Sequence, residues 1–183
     1  MIIKSFEIEK IKSQKNNFIL LYGSNDGFKT EIINNFFIKN VKGELLRFDE
    51  NEVIKDEKFI EKLLTKSLFE EEKIIIISRV TDRIFSTISE IIEREIKGVK
   101  IILNSNILEK NSKLRKFFEK EKNLTIIPFY DDNVRNLSFI TQQFFQEKKI
   151  KASQEIINLL VERCQGDRGN LKNELNKIGN LSF

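Results

Sequence analysis

One short segment carries the chemistry this chain comes nearest to having: Gly23, Ser24, Asn25, Asp26, Gly27, Phe28, Lys29 and Thr30. It follows the apolar run Phe18 to Tyr22 and precedes a helical pattern. That is the setting in which a loop of the form G-x-x-x-x-G-K-[ST] binds nucleotide phosphates. Such a loop offers successive backbone N–H groups to phosphate oxygens, and its second glycine allows the close approach that a Cβ would prevent. Here Phe28 stands directly before Lys29, and the glycine lies one place early, at Gly27. A benzyl group at that position predicts a blocked cradle, leaving Lys29 and Thr30 to bind phosphate weakly at best. The segment reads as a phosphate loop without its nucleotide.

The other parts of a nucleotide hydrolase are also incomplete. Magnesium needs a carboxylate at the end of a neighbouring strand. The run Ile74 to Ile77 is followed by Ser78, Arg79 and Val80, and the first acid is Asp82, which reads as a cap for the next helix. A cation at Arg79 would oppose a metal. Asn104 ends the Val99 run, where it reads as a polar residue leaving a strand or as a polar sensor. The stretch Gly166-Asp167-Arg168-Gly169-Asn170 resembles the segment carrying a phosphate-sensing arginine in AAA+ ATPases. That pattern places the arginine where Gly169 stands, and one residue turns a helical side chain by roughly 100°. A charged loop residue accounts for Arg168 equally well.

Composition narrows the remaining chemistry. The 183 residues contain no histidine and one cysteine, Cys164. Histidine bases, histidine-activated nucleophiles, internal disulfides and cysteine-based zinc clusters are thereby excluded. With 40% hydrophobic and 33% charged residues the chain can bury a core. The 32 basic and 28 acidic side chains leave a net charge of +4, which permits contact with nucleic acid without arguing for it. No apolar run approaches the roughly 20 residues of a membrane span. The N-terminus mixes Lys4, Glu7, Glu9, Lys10 and Lys12 with apolar residues, unlike a signal peptide. The expectation is a cytoplasmic protein with no membrane association.

Elements of two periods must hold the loop. Near-continuous apolar runs recur at Phe18 to Tyr22, Leu45 to Phe48, Ile74 to Ile77, Val99 to Leu103 and Leu124 to Ile127. Such runs mark strands covered on both faces, as in parallel sheets. Helical patterns lie between them at Lys29–Lys39, Glu57–Lys66, Asp82–Ile96 and Asn111–Lys120. After Pro128 only helices remain: Asn133–Gln146, Ser153–Cys164 and Asn170–Gly179, with Ser153 and Asn170 as N-caps. The predicted fold is α/β, a three-layer sandwich on a five-stranded parallel sheet with right-handed crossovers, followed by a small helical domain. The expected division is 1–129 and 130–183.

Together these features resemble the delta subunit of the bacterial DNA polymerase III clamp loader, an AAA+-like family with a degenerate phosphate loop. Three stretches carry the resemblance. The first is Phe18 to Gly27, similar to the family's LLYGxDEG opening. The second is Lys66-Ser67-Leu68-Phe69 ahead of a strand. The third combines Leu108 to Lys116 with Gly166 to Leu175. The resemblance implies a P-loop/AAA+-like domain with a helical lid, no cofactor, and no hydrolysis of ATP by this chain. It also implies a place in the polymerase III holoenzyme, with the sliding clamp (beta), gamma/tau, delta prime and primed DNA as partners. Delta subunits continue into a helical collar that joins the loader's ring, so the chain is expected to be a fragment or a truncated product.

In that family a Leu-Phe tip wedges into an apolar pocket on the sliding clamp and favours the open ring. The matching residues are Ser67, Leu68 and Phe69. The helical wheel agrees in part, because Ile60, Leu63 and Leu64 define an inward stripe and Phe69 falls roughly opposite it. A connector tucked under the sheet edge is the competing account. Lys110, Lys113, Arg115 and Lys116 are candidates for DNA phosphate contacts, against a plain solvated face. Two further readings compete: a weak ATP-binding AAA+ protein acting on DNA, and a free-standing nucleic-acid-binding module.

Overall fold

The computed structural model describes residues 1–13, 16–39, 43–64, 73–96 and 98–181. The chain forms two compact units. Met1–Gly23 and Ile32–Phe129 make the first, and Ser24–Glu31 joins Tyr130–Phe183 in the second.

The first unit is built on β1 (Phe18–Tyr22), β2 (Glu44–Asp49), β3 (Lys73–Val80), β4 (Val99–Ser105) and β5 (Leu124–Pro128). The strands form one sheet in the order β2-β3-β4-β1-β5, and every pairing is parallel. The apolar runs predict the parallel pairing, though not the strand order. Ile75, Ile77, Ile101 and Leu103 in the central strands, with Leu20 in β1, are wholly buried in one core cluster. Each such side chain contributes roughly 1.5–3 kcal/mol by leaving water. The β2 strand is only half-buried and intersperses Glu44, Arg47 and Asp49 among its apolar residues, as a strand at a sheet edge does. At the other edge the first residues cover β5: Ile126 N donates to Met1 O and Ile3 N donates to Ile126 O, both at 3.0 Å.

Helices α1 (Asp26–Ile32), α2 (Glu50–Lys55), α3 (Phe59–Leu64), α4 (Phe85–Glu93) and α5 (Lys113–Lys120) connect the strands. Past Ile32 the first helix continues as a π-helical segment, Ile33–Ile38. The periodicity does not announce α2, which is too short to show a stripe. Its signal is local: Asp49 and Glu52 form a capping box, with Asp49 N donating to Glu52 Oε2 at 2.6 Å. The pattern over Asp82–Ile96 resolves into a 3-10 turn, Asp82–Ile84, followed by α4.

The second unit's helices are α6 (Val134–Glu147), α7 (Gln154–Arg163) and α8 (Arg168–Leu181). Asn133 and Ser153 cap the first two. Asn170 does not cap the third. The helix begins at Arg168, and the Asp167 side chain accepts from Asn170 N at 2.9 Å. A carboxylate four residues ahead of Leu171 outcompetes the amide side chain for the free N–H groups of the first turn. Leu137, Phe145, Ile157, Val161, Leu171 and Leu175 fill this unit's own core around the buried Cys164. Among the described residues no helix is long and apolar enough to cross a membrane.

Candidate functional site

Gly23 closes β1, and its requirement for glycine comes from the sheet. Its φ is +129°, and a Cβ there would stand 2.0 Å from the Phe129 carbonyl oxygen. Its N–H donates to Asn106 O at 3.1 Å. Any other residue would force the ends of β1 and β5 apart.

The rest of the loop belongs to the second unit, with Asn25 at its centre. Asn25 is buried, and its Oδ1 accepts from Phe28 N at 3.0 Å. Its Nδ2 donates to Tyr130 O at 3.0 Å and to Asp132 Oδ2 at 2.9 Å. Ser24 Oγ donates to Asp131 Oδ1 at 2.7 Å. An N–H group that a phosphate loop would aim at a ligand is thus spent on the chain's own cap.

Lys29, the residue that would neutralise phosphate, has no exposed side-chain surface, and its Nζ lies 2.7 Å from Asp26 Oδ1. Thr30 is exposed. Gly27 has a packing role of its own: a Cβ there would fall 2.4 Å from Gly169 N, so the loop backbone rests directly on the first turn of α8. Phe28 does more than obstruct. Its half-buried ring carries the guanidinium of Arg168, whose Cζ lies 3.8 Å from the ring centroid.

Arg168 is not a solvated loop residue. Its side chain is 11% exposed, with Nε 2.9 Å from Glu31 Oε2 and Nη1 3.3 Å from Asp132 Oδ2. One turn along α8, Lys172 Nζ also reaches Glu31 Oε2, at 2.7 Å. The sequence pointed at Arg168 but gave no sign of Glu31 or Asp132, which lie 137 and 36 positions away. Beside this cluster a cleft of about 320 Å³ is lined by Ser24, Asp26, Asp131, Gln165, Asp167 and Arg168, among others. Three carboxylates against one already paired arginine give it the wrong sign for a triphosphate.

The first unit contains the remaining candidates. Asp82 caps neither the turn it opens nor α4. Thr81 caps that turn, while Asp82 reaches across to α5, accepting from Ser112 Oγ at 2.6 Å and from Lys113 N and Leu114 N at 3.0 Å each. Burial pushes its carboxyl up, but the Ser112 hydroxyl and the two N–H groups outweigh this and hold it below the ordinary carboxylate value. Arg79 adopts φ 56° and pairs with Asp49 at 2.5 Å. Glu50, buried and unforeseen, accepts from Thr81 N at 2.7 Å. The Oδ1 of Asn104 is buried without a hydrogen-bond partner among the described residues.

Lys110, Lys113 and Lys116 are exposed on and before α5. Arg115 is committed inward. Its Nε lies 2.8 Å from Glu119 Oε1, Nη1 donates to Leu108 O at 3.0 Å, and the guanidinium lies 4.9 Å from the centroid of the Tyr22 ring. Ser67, Leu68 and Phe69 lie outside the described residues. No group of acidic and cysteine side chains fit to hold a metal ion occurs among the described residues.

No protein-family model and no curated protein sequence matches the chain. Solved structures do. It is similar to the Bacillus subtilis DNA clamp loader delta protein (YqeN), with 15% identity and a TM-score of 0.61 over 96% of this chain and 57% of that one. It is also similar to the Thermotoga maritima RuvB Holliday junction branch migration motor, with 11% identity and a TM-score of 0.61 over 97% of this chain and 59% of that one. Domain III of the Thermotoga maritima replication initiation protein DnaA matches at 11% identity and a TM-score of 0.55, over 94% of this chain and 80% of that one. At these identities the likeness is one of fold: an AAA+-like α/β sheet with a helical C-terminal region.

Proposed function

We propose that this chain acts as a clamp-loader delta-type subunit, a protein that binds a sliding clamp and favours its open form without turning over ATP. The observation that carries this reading is the state of the phosphate loop. Lys29 is sequestered by Asp26, Phe28 N is capped by Asn25, and Arg168 is paired with carboxylates. A scaffold of this kind can still work as a lever, since binding shifts a partner's equilibrium by its differential affinity for two shapes and needs no chemistry. The likeness to a clamp loader delta protein supports the same direction at the level of fold.

In this reading Ser67, Leu68 and Phe69 form the clamp-binding tip, and the sister subunits, gamma/tau and delta prime, supply the nucleotide. Lys110, Lys113 and Lys116 are the side chains free to meet the phosphates of primed DNA within the assembled loader. The chain would thus serve DNA replication as a component of the polymerase III holoenzyme. The deciding experiment is capture of the cognate clamp by the wild-type chain, with the Leu68→Ala/Phe69→Ala double variant as control. Capture lost in the double variant while circular dichroism is unchanged is the expected result. Equal capture by both rejects the tip assignment, and no capture by the wild type rejects the delta-type reading.

A further inference from the structure

We propose that Arg168 is an internal clip that takes the place of a ligand, fastening α8 to the Ser24–Glu31 segment within the second unit. Three independent features converge on it. The guanidinium bridges Glu31 on α1 and Asp132 on the connector before α6, at 2.9 and 3.3 Å. Its flat face rests on Phe28, 3.8 Å from the ring centroid. Beneath it the loop and the first turn of α8 meet backbone to backbone, with only 2.4 Å between a Cβ built on Gly27 and Gly169 N. The side chain is 11% exposed, so these contacts are little screened by solvent.

The composition of the cluster accounts for its independence from ligands. Arg168 and Lys172 supply two positive charges, Glu31 and Asp132 two negative ones, so these four side chains balance one another without any anion. An arginine facing a loop with no carboxylates would need an external oxyanion to satisfy its fork. Here Glu31 and Asp132 are that oxyanion. Phe28 adds what a phosphate could not, an apolar platform that favours arginine over lysine, since lysine offers neither a planar face nor a fork. The clip therefore keeps loop and α8 together constitutively, and the residue that departs from the phosphate-loop pattern becomes part of the fastening.

Amide hydrogen exchange on the full chain tests this, and it needs no clamp, so its outcome is separate from that of the delta-type reading. In the wild type, Phe28, Lys29, Asn170 and Leu171 are expected to exchange slowly, at rates unaltered by millimolar ATP with magnesium. Arg168→Ala is expected to speed exchange at those amides by about tenfold or more while leaving Ile75–Ile77 and Ile101–Leu103 unchanged. Arg168→Lys is expected to recover less than half of that protection. Should Arg168→Ala fail to fold, Glu31→Gln keeps the side-chain shape, removes one charge and is expected to loosen the same two segments. Loop amides indifferent to both Arg168→Ala and Glu31→Gln overturn the proposal. So does slowing of the wild-type loop by ATP, or full protection with lysine.

Discussion

The ammonium of Lys29 is wholly buried and stands 2.7 Å from the carboxylate of Asp26, one turn earlier on the same helix. A lysine in this setting would have to give up an internal partner before it met a phosphate. Asp26 is 73% exposed and would be hydrated on separation, so the cost lies in drawing the buried ammonium out of its present contacts, which a ligand would have to offset. Isothermal calorimetry with millimolar ATP and magnesium is expected to show no stoichiometric heat. The same result is expected for Phe28→Gly, because replacing the ring frees neither Lys29 nor the N–H that Asn25 caps. Stoichiometric binding by the wild type would favour the reading of a nucleotide-binding AAA+ protein.

The largest effect is predicted for the proposed clamp contact at Leu68 and Phe69. Burying Leu68 and Phe69 in a partner's pocket is worth roughly 1.5–3 kcal/mol each. The Leu68→Ala/Phe69→Ala variant should therefore bind the clamp at least about a hundredfold more weakly, read by surface plasmon resonance. A loss below tenfold would place the energetic centre of the interface elsewhere.

Gly27 and Gly23 are close-approach positions in different units. Gly27→Ala inserts a methyl 2.4 Å from Gly169 N, and overpacking of this kind costs about 1–3 kcal/mol. Gly23→Ala meets the Phe129 carbonyl oxygen at 2.0 Å and an unfavourable φ of +129° as well, so it should be the more damaging. Urea unfolding compares the two directly. A Gly23→Ala midpoint at or above that of Gly27→Ala would contradict this ranking.

Asp82 ties the segment after β3 to the start of α5. Its carboxyl is held below the ordinary 3.8, so the native state binds the proton less readily than the unfolded chain. The resulting stability is fully present above that ordinary value and is lost as pH falls through it toward the lowered native value. Asp82→Ala should cost about 1–2 kcal/mol at neutral pH and flatten the acid limb of a thermal-melt profile. An unchanged acid limb would show that other groups govern it.

Salt should separate two kinds of basic residue on and around α5. Lys110, Lys113 and Lys116 are exposed, whereas the guanidinium of Arg115 is held by Glu119, Leu108 O and the Tyr22 ring. If these lysines meet DNA, Lys113→Ala and Lys116→Ala should each lower the salt slope of DNA affinity by roughly one unit. Arg115→Ala should act on stability instead. An unchanged slope in both lysine variants would remove them from any DNA surface.

The sheet was legible in the sequence because burial on two faces writes itself into consecutive apolar residues, and all five runs became strands within a few residues of their expected ends. The cap at Ser153 was legible for a related reason: capping is local, and three residues suffice to specify it; at Asn170 the same local signal lost to Asp167, three positions earlier. Helix α2 escaped because a single turn and a half is too short to establish a period.

What the chain by itself determined was the parallel α/β sheet, the helices after Pro128 and the fault in the phosphate loop. What only tertiary structure decided was the consequence of that fault. Phe28 reads locally as an obstruction, and only folding brings Arg168 onto its ring and Glu31 against the same guanidinium, a partner 137 positions away. Asp82 likewise reads as a cap for its own helix but serves α5, 30 positions on. Side-chain periodicity and capping depend on neighbours within a turn or two, whereas charge pairing depends on distance in space, which a linear order of residues does not contain.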